Sequence, residues 1–258
     1  MITLSEFDPV IVKIGFLEIR WYSLAYVLGI VLGWFLIKYL NKQKKVFEEK
    51  KVADDFFMYI VLGIVLGGRL GYVLFYNFSY FLIRPLEIFA VWQGGMSFHG
   101  GVFGGSIAIY YLCKKHKINF LKFMDLCAVV VPIGLFLGRI ANFINMELYG
   151  RVTNVKWAVV FPFDKLARHP SQLYEAFFEG LVLFLILFYL AQATKIRDKQ
   201  GLLSGLFLIL YSVFRFGIEF FREPDFQLGF IIPYITMGQI LTGPLMLLGI
   251  YLIINRNK

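Results

Sequence analysis

Apolar residues run along this chain almost continuously for about 20 positions at a time before polar punctuation interrupts them. Runs of that length match what an α-helix needs to cross a hydrocarbon core of about 30 Å. They predict seven helices, at about 19–40, 54–76, 88–112, 123–145, 175–193, 202–222 and 234–254. None of the runs alternates in hydrophobicity as a membrane β-barrel strand would. The expected fold is therefore an all-α integral membrane protein of about seven transmembrane helices, with residues 1–258 forming one polytopic domain. The longest connection, about 146–174, carries Pro162 and Pro170 around the apolar run WAVVF, which predicts a short strand or a segment lying on the bilayer surface.

Composition agrees and excludes alternatives. At 59% hydrophobic and 17% charged, the chain departs from the roughly 45–50% and about 25% of soluble domains. Two cysteines, Cys113 and Cys127, do not make a disulfide scaffold. A net charge of +9 invites a nucleic-acid partner until its distribution is read. Seven spans sort the loops into two sets. Of the 26 Lys and Arg residues, 15 fall in 38–53, 114–122, 195–199 and the C-terminal tail, and seven fall in 1–20, 77–87 and 146–174. The positive-inside rule then places the N-terminus outside, the C-terminus in the cytoplasm and the 146–174 loop region outside. Topology explains the basic excess, and no nucleic acid is needed. Glu6 and Asp8 stand where a signal peptide would carry its basic region, so no cleavable leader is expected.

The four remaining arginines, Arg69, Arg139, Arg215 and Arg222, lie within spans or at their ends. An ionised side chain at mid-membrane costs roughly 2.5–3.5 kcal/mol on insertion scales and so calls for a partner or a purpose. Counted at 1.5 Å per residue from the outer ends of the expected helices, Arg69, His99, Arg139 and Arg215 lie about 9–15 Å deep on one side. Tyr22, Glu147, Glu175 and Glu219 fall near the same ends. Together they predict a polar pocket opening toward the outer leaflet.

Each residue also has an ordinary structural reading. Arg139 or Arg215 can snorkel to headgroups or pair with a carboxylate between helices. Tyr211, Arg215, Glu219 and Arg222 are spaced four, four and three apart on one helical face, so Arg215 and Glu219 can form an internal ion pair. A lone His99 is more often a hydrogen-bonded core residue. The glycines of GGMSFHGGVFGG (94–105) suit close helix packing, and Asp125, Asp54 and Asp55 look like charges at helix N-termini. The shared depth is what favours function. Two buried guanidinium forks suit a phosphate, because they stay charged where other groups would neutralise. An imidazole with a free pKa of about 6.5 suits proton acceptance at neutral pH. No metal site and no cofactor are implied, since metal-ligand spacing is missing.

At this point HGGVFGG (99–105), GRIANFINMELYGR (138–151), RHPSQLYEAFFEG (168–180), YSVFRFGIEFFREPD (211–225) and YITMGQIL (234–241) closely resemble the bacterial prolipoprotein diacylglyceryl transferases. FDPVIVKIG and RWYSLAY within 7–26, and GGRLGYVLFYN (67–77), extend the resemblance in order over nearly the whole chain. The family pattern GRxxNFxNxExxGR is met by Gly138, Arg139, Asn142, Phe143, Asn145, Glu147, Gly150 and Arg151. The chain departs from many members at Met146, where they have glycine, and in a short loop at 151–168.

The resemblance implies a multi-pass protein of the bacterial cytoplasmic (inner) membrane, with its site facing the outer leaflet. It implies transfer of the diacylglyceryl group of phosphatidylglycerol to the lipobox cysteine of a prolipoprotein signal peptide, forming a thioether and releasing glycerol 1-phosphate. Arg139 and Arg215 would stabilise charge on the leaving phosphate, and His99 is the candidate base. Passing a thiol proton (pKa about 8.5) to an imidazole costs roughly 2.7 kcal/mol before the arginines favour thiolate. Asn142, Glu147, Tyr22, Tyr211 and Glu219 are expected to orient arginines and glycerol hydroxyls, with Arg69, Gly150 and Glu175 also at the substrate. An anion or lipid transporter with buried arginines is the alternative, although transport favours midplane polar residues in a convincing inverted repeat. An intramembrane serine protease lacks its GxSG signature, because GLLSG (201–205) places serine one position late.

Overall fold

The computed structural model describes residues 2–5, 7–14, 17–49, 51–192, 199–224, 230–232 and 235–255. Among these, seven helices carry the fold: α1 Trp21–Lys44, α2 Lys51–Phe75, α3 Phe98–Lys115, α4 Phe120–Ile144, α5 Ser171–Gln192, α6 Leu202–Ile218 and α7 Met237–Ile254. Five of them, α1, α2, α4, α5 and α7, are long and apolar enough to cross a membrane, and α6 is apolar but shorter. In a hydrocarbon solvent the backbone must satisfy its own hydrogen bonds, which is why such runs become helices. Pro132 in α4 and Pro244 in α7 are tolerated within them. Of the basic residues used to orient the chain, Lys50, Lys195, Arg197, Arg256 and Lys258 lie outside the described residues.

The chain divides into two compact units, Met1–Leu36 with Met124–Lys258, and Ile37–Phe123. In the second unit, α2 and α3 approach through small residues. A Cβ added at Gly63 would stand 2.7 Å from Ala108 Cβ, and one at Gly67 would stand 2.7 Å from Gly104 Cα. The packing surface expected of the 94–105 glycines is therefore formed by Gly100 and Gly104 against Gly63, Gly67 and Gly71. At one end Asp55 meets Lys115 Nζ at 2.7 Å and His116 Nε2 at 2.8 Å, while Lys38 Nζ pairs with Asp54 at 2.7 Å.

One expected boundary is wrong by ten residues. The third apolar run predicts a helix from about 88, yet α3 starts at Phe98, after short 3-10 turns at Pro85–Phe89 and Val91–Gln93. The cause is Arg69. Its Nε donates to Ile88 O (2.9 Å), Nη1 to Gly94 O (2.5 Å) and Gly95 O (3.2 Å), and Nη2 to Glu87 O (2.6 Å). Gly94 and Gly95 take φ of 83° and 75°, which presents those carbonyls to the guanidinium. Ser97 then starts α3, its Oγ accepting from Gly100 N. His99 therefore sits in the first turn of α3, not two to three turns inside a helix.

In the first unit, α1 meets α4 where Gly29 faces Gly134, and α6 crosses α7 at Gly205 and Gly249. Asp125 lies near the start of α4, but the charge it satisfies belongs to another helix. Its carboxylate accepts from Gly201 N (2.7 Å), Ser204 N (2.8 Å) and Ser204 Oγ (2.8 Å), capping α6. The 146–174 segment supplies β4 (Val159–Val160), which pairs parallel with β1 (Ile2–Thr3) and antiparallel with β5 (Ala167–Arg168). Between them in sequence, β2 (Val10–Ile14) and β3 (Leu17–Arg20) form a hairpin before α1. The WAVVF run thus supplies a strand, one of the two outcomes its pattern allowed.

Replacing Gly67 by Leu should overpack the α2–α3 contact by about 1–3 kcal/mol or more. The expected readout is a lower melting midpoint in detergent, with Gly243→Ala, where nothing lies within 4 Å, close to wild type. An unchanged midpoint for Gly67→Leu would refute the close approach.

Candidate active site

Three helices of the first unit bring a cluster of buried charges together. Arg139 on α4 places Nε 2.6 Å from Glu175 Oε2 at the start of α5. Arg215 on α6 places Nη1 3.1 Å from Glu175 Oε1 and Nη2 2.7 Å from Glu219 Oε2. Glu179, one turn beyond Glu175, stands 3.7 Å from Arg215 Nη1 and 3.9 Å from Arg139 Nη2. Arg222 completes the group at 3.9 Å from Glu175 and 3.8 Å from Glu219. Glu175 and Glu179 are fully buried. Three arginines face three glutamates, so the cluster is balanced. Such pairing offsets the desolvation of each ion, and removing one member would leave a buried charge at a cost of about 3–5 kcal/mol.

The internal pair anticipated between Arg215 and Glu219 is present. Glu219 is held further by Thr236 Oγ1, which donates to Oε1 at 2.9 Å and also caps α7. Gly238 is glycine for a direct reason, since a Cβ there would stand 2.8 Å from the Glu219 carboxylate. Glu179 was not singled out by sequence reasoning, although it belongs to the RHPSQLYEAFFEG motif. Its spacing of four from Glu175 was the available signal. The α5 backbone is π-helical over Ala176–Val182, a local widening often found at functional sites.

Arg139 differs from its neighbours in retaining some exposure, 18% of its side chain against 9% for Arg215. Its Nη1 reaches Asn142 Oδ1 at 3.4 Å, and Asn142 Nδ2 donates to Glu147 Oε1 at 2.8 Å. Arg139 thus presents the edge of its fork outward, oriented through Asn142 and Glu147. The hydroxyls of Tyr22 and Tyr26 lie 3.5 Å apart, and Tyr26 is within electrostatic reach of Arg139 and Glu147. The Tyr211 hydroxyl is in similar reach of Glu179, Arg215 and Arg139.

The 146–174 segment forms the frame. Gly150 N donates to His169 O and His169 N to Arg151 O, both at 3.0 Å, and Arg151 N donates to Phe221 O at 2.9 Å. A Cβ at Gly150 would stand 2.7 Å from Phe221 O, so glycine is required there by the close approach of three strands of chain. Gln172 Nε2 donates to Glu147 O at 2.7 Å, and Ser171 Oγ donates to Leu148 O at 3.1 Å. These bonds tie the start of α5, and with it Glu175, to the end of α4. Arg168 anchors the frame through Asp164 (2.6 Å), Gly150 O (3.1 Å) and the ring of Tyr149.

Arg69 belongs to the other compact unit, where its guanidinium is engaged by four backbone carbonyls and so shapes the chain before α3. The His99 side chain lies outside the described residues.

These features define a class: a multi-pass membrane protein with a buried, charge-balanced arginine–glutamate site. A family model for prolipoprotein diacylglyceryl transferase matches residues 9–255. Proteins named phosphatidylglycerol--prolipoprotein diacylglyceryl transferase from Rickettsia felis and Rickettsia rickettsii are each 56% identical to this chain over 256 residues, 99% of both sequences. One of the same name from Rickettsia bellii is 56% identical over 253 residues, 98% of this chain and 96% of that protein. The chain belongs to the prolipoprotein diacylglyceryl transferase family.

Two outcomes test the frame. Met146 has φ of 57°, where a side chain costs roughly 1–2 kcal/mol. Met146→Gly should recover about 0.5 kcal/mol net of the added chain entropy, read as a higher melting midpoint in detergent; a lower one would contradict it. Burial holds the His169 imidazole below its ordinary pKa. The unfolded chain therefore binds a proton that the folded one refuses as pH falls through about 6.5, and stability is lost on acidification. Unfolding followed against pH should show this slope weakened in His169→Gln, and an unchanged slope would assign it elsewhere.

Proposed function

We propose that this protein transfers the diacylglyceryl group of phosphatidylglycerol to the lipobox cysteine of prolipoprotein signal peptides. The product is a thioether, and glycerol 1-phosphate is released. Family membership over essentially the whole chain supports the reaction, and it favours transfer over the transport alternative. The observation that carries the reading at residue level is the Arg139–Arg215 pair, held by the fully buried Glu175 at the meeting of α4, α5 and α6. All seven helices span the bacterial inner membrane, N-terminus outside and C-terminus cytoplasmic, as the 15-to-seven partition of basic residues favours. The site then faces the outer leaflet, framed by the 146–174 segment.

The chemistry follows from charge. Sulfur attacks the glycerol carbon that bears phosphate, the carbon–oxygen bond breaks, and the departing phosphate gains negative charge. Guanidinium donors already fixed by Glu175 and Glu219 need little reorganisation as that charge develops. Arg139 meets the headgroup with the outward edge of its fork, and Arg215 supplies field from behind. Asn142 and Glu147 hold Arg139, while Tyr22 and Tyr211 address the glycerol hydroxyls. His99 takes the thiol proton, aided by the arginine field, which favours thiolate.

Purified protein with phosphatidylglycerol and a lipobox peptide should add the mass of one diacylglyceryl group to the peptide. A Cys→Ser peptide should gain none. Arg139→Ala should lower the rate at least 100-fold, the scale for losing a fixed transition-state donor of about 2.7–4 kcal/mol. His99→Gln should slow transfer most below pH 8, and a near-wild-type rate at neutral pH would remove His99 as base. No mass gain from folded wild-type protein would refute the transferase reading.

A further inference from the structure

The balanced cluster has a consequence for the ligand it receives, and this inference rests on the transferase reading. The charges facing Glu179 are Arg139 of α4, Glu175 of α5, Arg215 of α6 and Arg222 beyond it, with the Tyr211 hydroxyl of α6 alongside. Arg139, Arg215 and Arg222 already match Glu175, Glu179 and Glu219 one for one. Glu147 adds its charge at an exposed position and is screened there. A phosphodiester headgroup arriving at Arg139 therefore makes a buried group of ions net negative. Without compensation this is a large desolvation cost, and buried groups generally meet it by changing protonation.

The geometry selects which group responds. Glu175 has arginine nitrogens at 2.6 and 3.1 Å and Glu219 has one at 2.7 Å. Glu219 also accepts from Thr236 Oγ1. Glu179 has nothing nearer than 3.7 and 3.9 Å. Among the described residues no hydrogen bond reaches the oxygens of either Glu175 or Glu179, both fully buried, so the ionic distances alone separate the two. Glu179 is the carboxylate whose charge is least supported, on the π-helical stretch of α5.

We propose that Glu179 is the charge-balancing residue of the site: it takes up one proton from water when the anionic headgroup binds and returns it when phosphate leaves. Glu179–COO⁻ and H⁺ become Glu179–COOH, so the net charge of the cluster is the same with and without lipid. Glu179 touches neither substrate; it acts through Arg139 and Arg215 as a positioning residue.

The test is proton uptake measured directly. Short-chain phosphatidylglycerol is titrated into the full-length protein in phosphatidylcholine nanodiscs, by calorimetry in two buffers of different ionisation enthalpy, from pH 6 to 9. Wild type should take up close to one proton per lipid in the upper part of this range, with affinity weakening by up to about tenfold per pH unit. Diacylglycerol of the same chain length, which carries no charge, should bring in none. Glu179→Gln should bind phosphatidylglycerol with no uptake and no pH dependence, and Glu179→Asp should restore uptake. A variant that loses structure lowers the amount bound without cancelling uptake per lipid bound, so the ratio separates the two causes. Wild type that binds lipid and transfers it with no proton uptake would overturn this proposal alone. Uptake retained in Glu179→Gln would overturn it as well. Uptake with no transfer to a lipobox peptide would instead overturn the transferase reading and leave the proton coupling standing.

Discussion

The interaction on which the first unit depends is the meeting of Arg139, Arg215 and Arg222 with Glu175, Glu179 and Glu219. Ions in a low-dielectric interior are tolerable only when opposite charges are brought within a few ångströms, and here Glu175 and Glu179 find their arginines on other helices. The pairing therefore sets which faces of α4, α5 and α6 must turn toward one another. The Gly150–His169–Phe221 lattice and the bonds from Gln172 and Ser171 follow from it, since they hold the helix ends at the separation the ion pairs require. On the proposed reaction the same arrangement serves the phosphate ester. An arginine fixed by a buried glutamate is a rigid donor, whereas a free one would bend toward water.

Residues of one chemical type take different tasks according to what their surroundings leave unsatisfied. Arg69 is buried and its guanidinium is engaged by the carbonyls of Glu87, Ile88, Gly94 and Gly95, so it shapes the chain before α3. Arg139 is equally an intrahelical arginine in the sequence, yet it spends only one nitrogen on a short ionic contact and keeps partial exposure. Asp125 sits where a helix-starting carboxylate is expected but caps a different helix through three hydrogen bonds. Glycine divides in the same way. Gly67 and Gly104 permit two helices to touch, Gly150 and Gly238 yield space to a carbonyl and a carboxylate, and Gly94 and Gly95 turn the backbone.

Among the described residues each apolar run carries a helix, and five of these are long and apolar enough to cross a membrane, because length and hydrophobicity compel intrasegment hydrogen bonding in lipid. Six starts fall within about four residues of expectation, and the exception has a specific cause. The residues 88–97 are apolar enough for a helix, but Arg69 draws their carbonyls away, a long-range contact that no local pattern announces. Sequence spacing revealed Arg215 and Glu219 as one helical face and set Arg139 near the same depth. Glu179 passed unnoticed because its importance depends on the π-helical course of α5 and on arginines from other helices.

What the sequence determined by itself was the solvent, the helical character of the apolar runs and the family, all carried by runs of residue type and ordered motifs that are independent of packing. Which charges meet was decided only in three dimensions. Electrostatic pairing falls off over a few ångströms, and those ångströms are set by how α4, α5 and α6 turn about their axes. That rotation gathered Glu175, Glu179 and Glu219 around Arg139, Arg215 and Arg222.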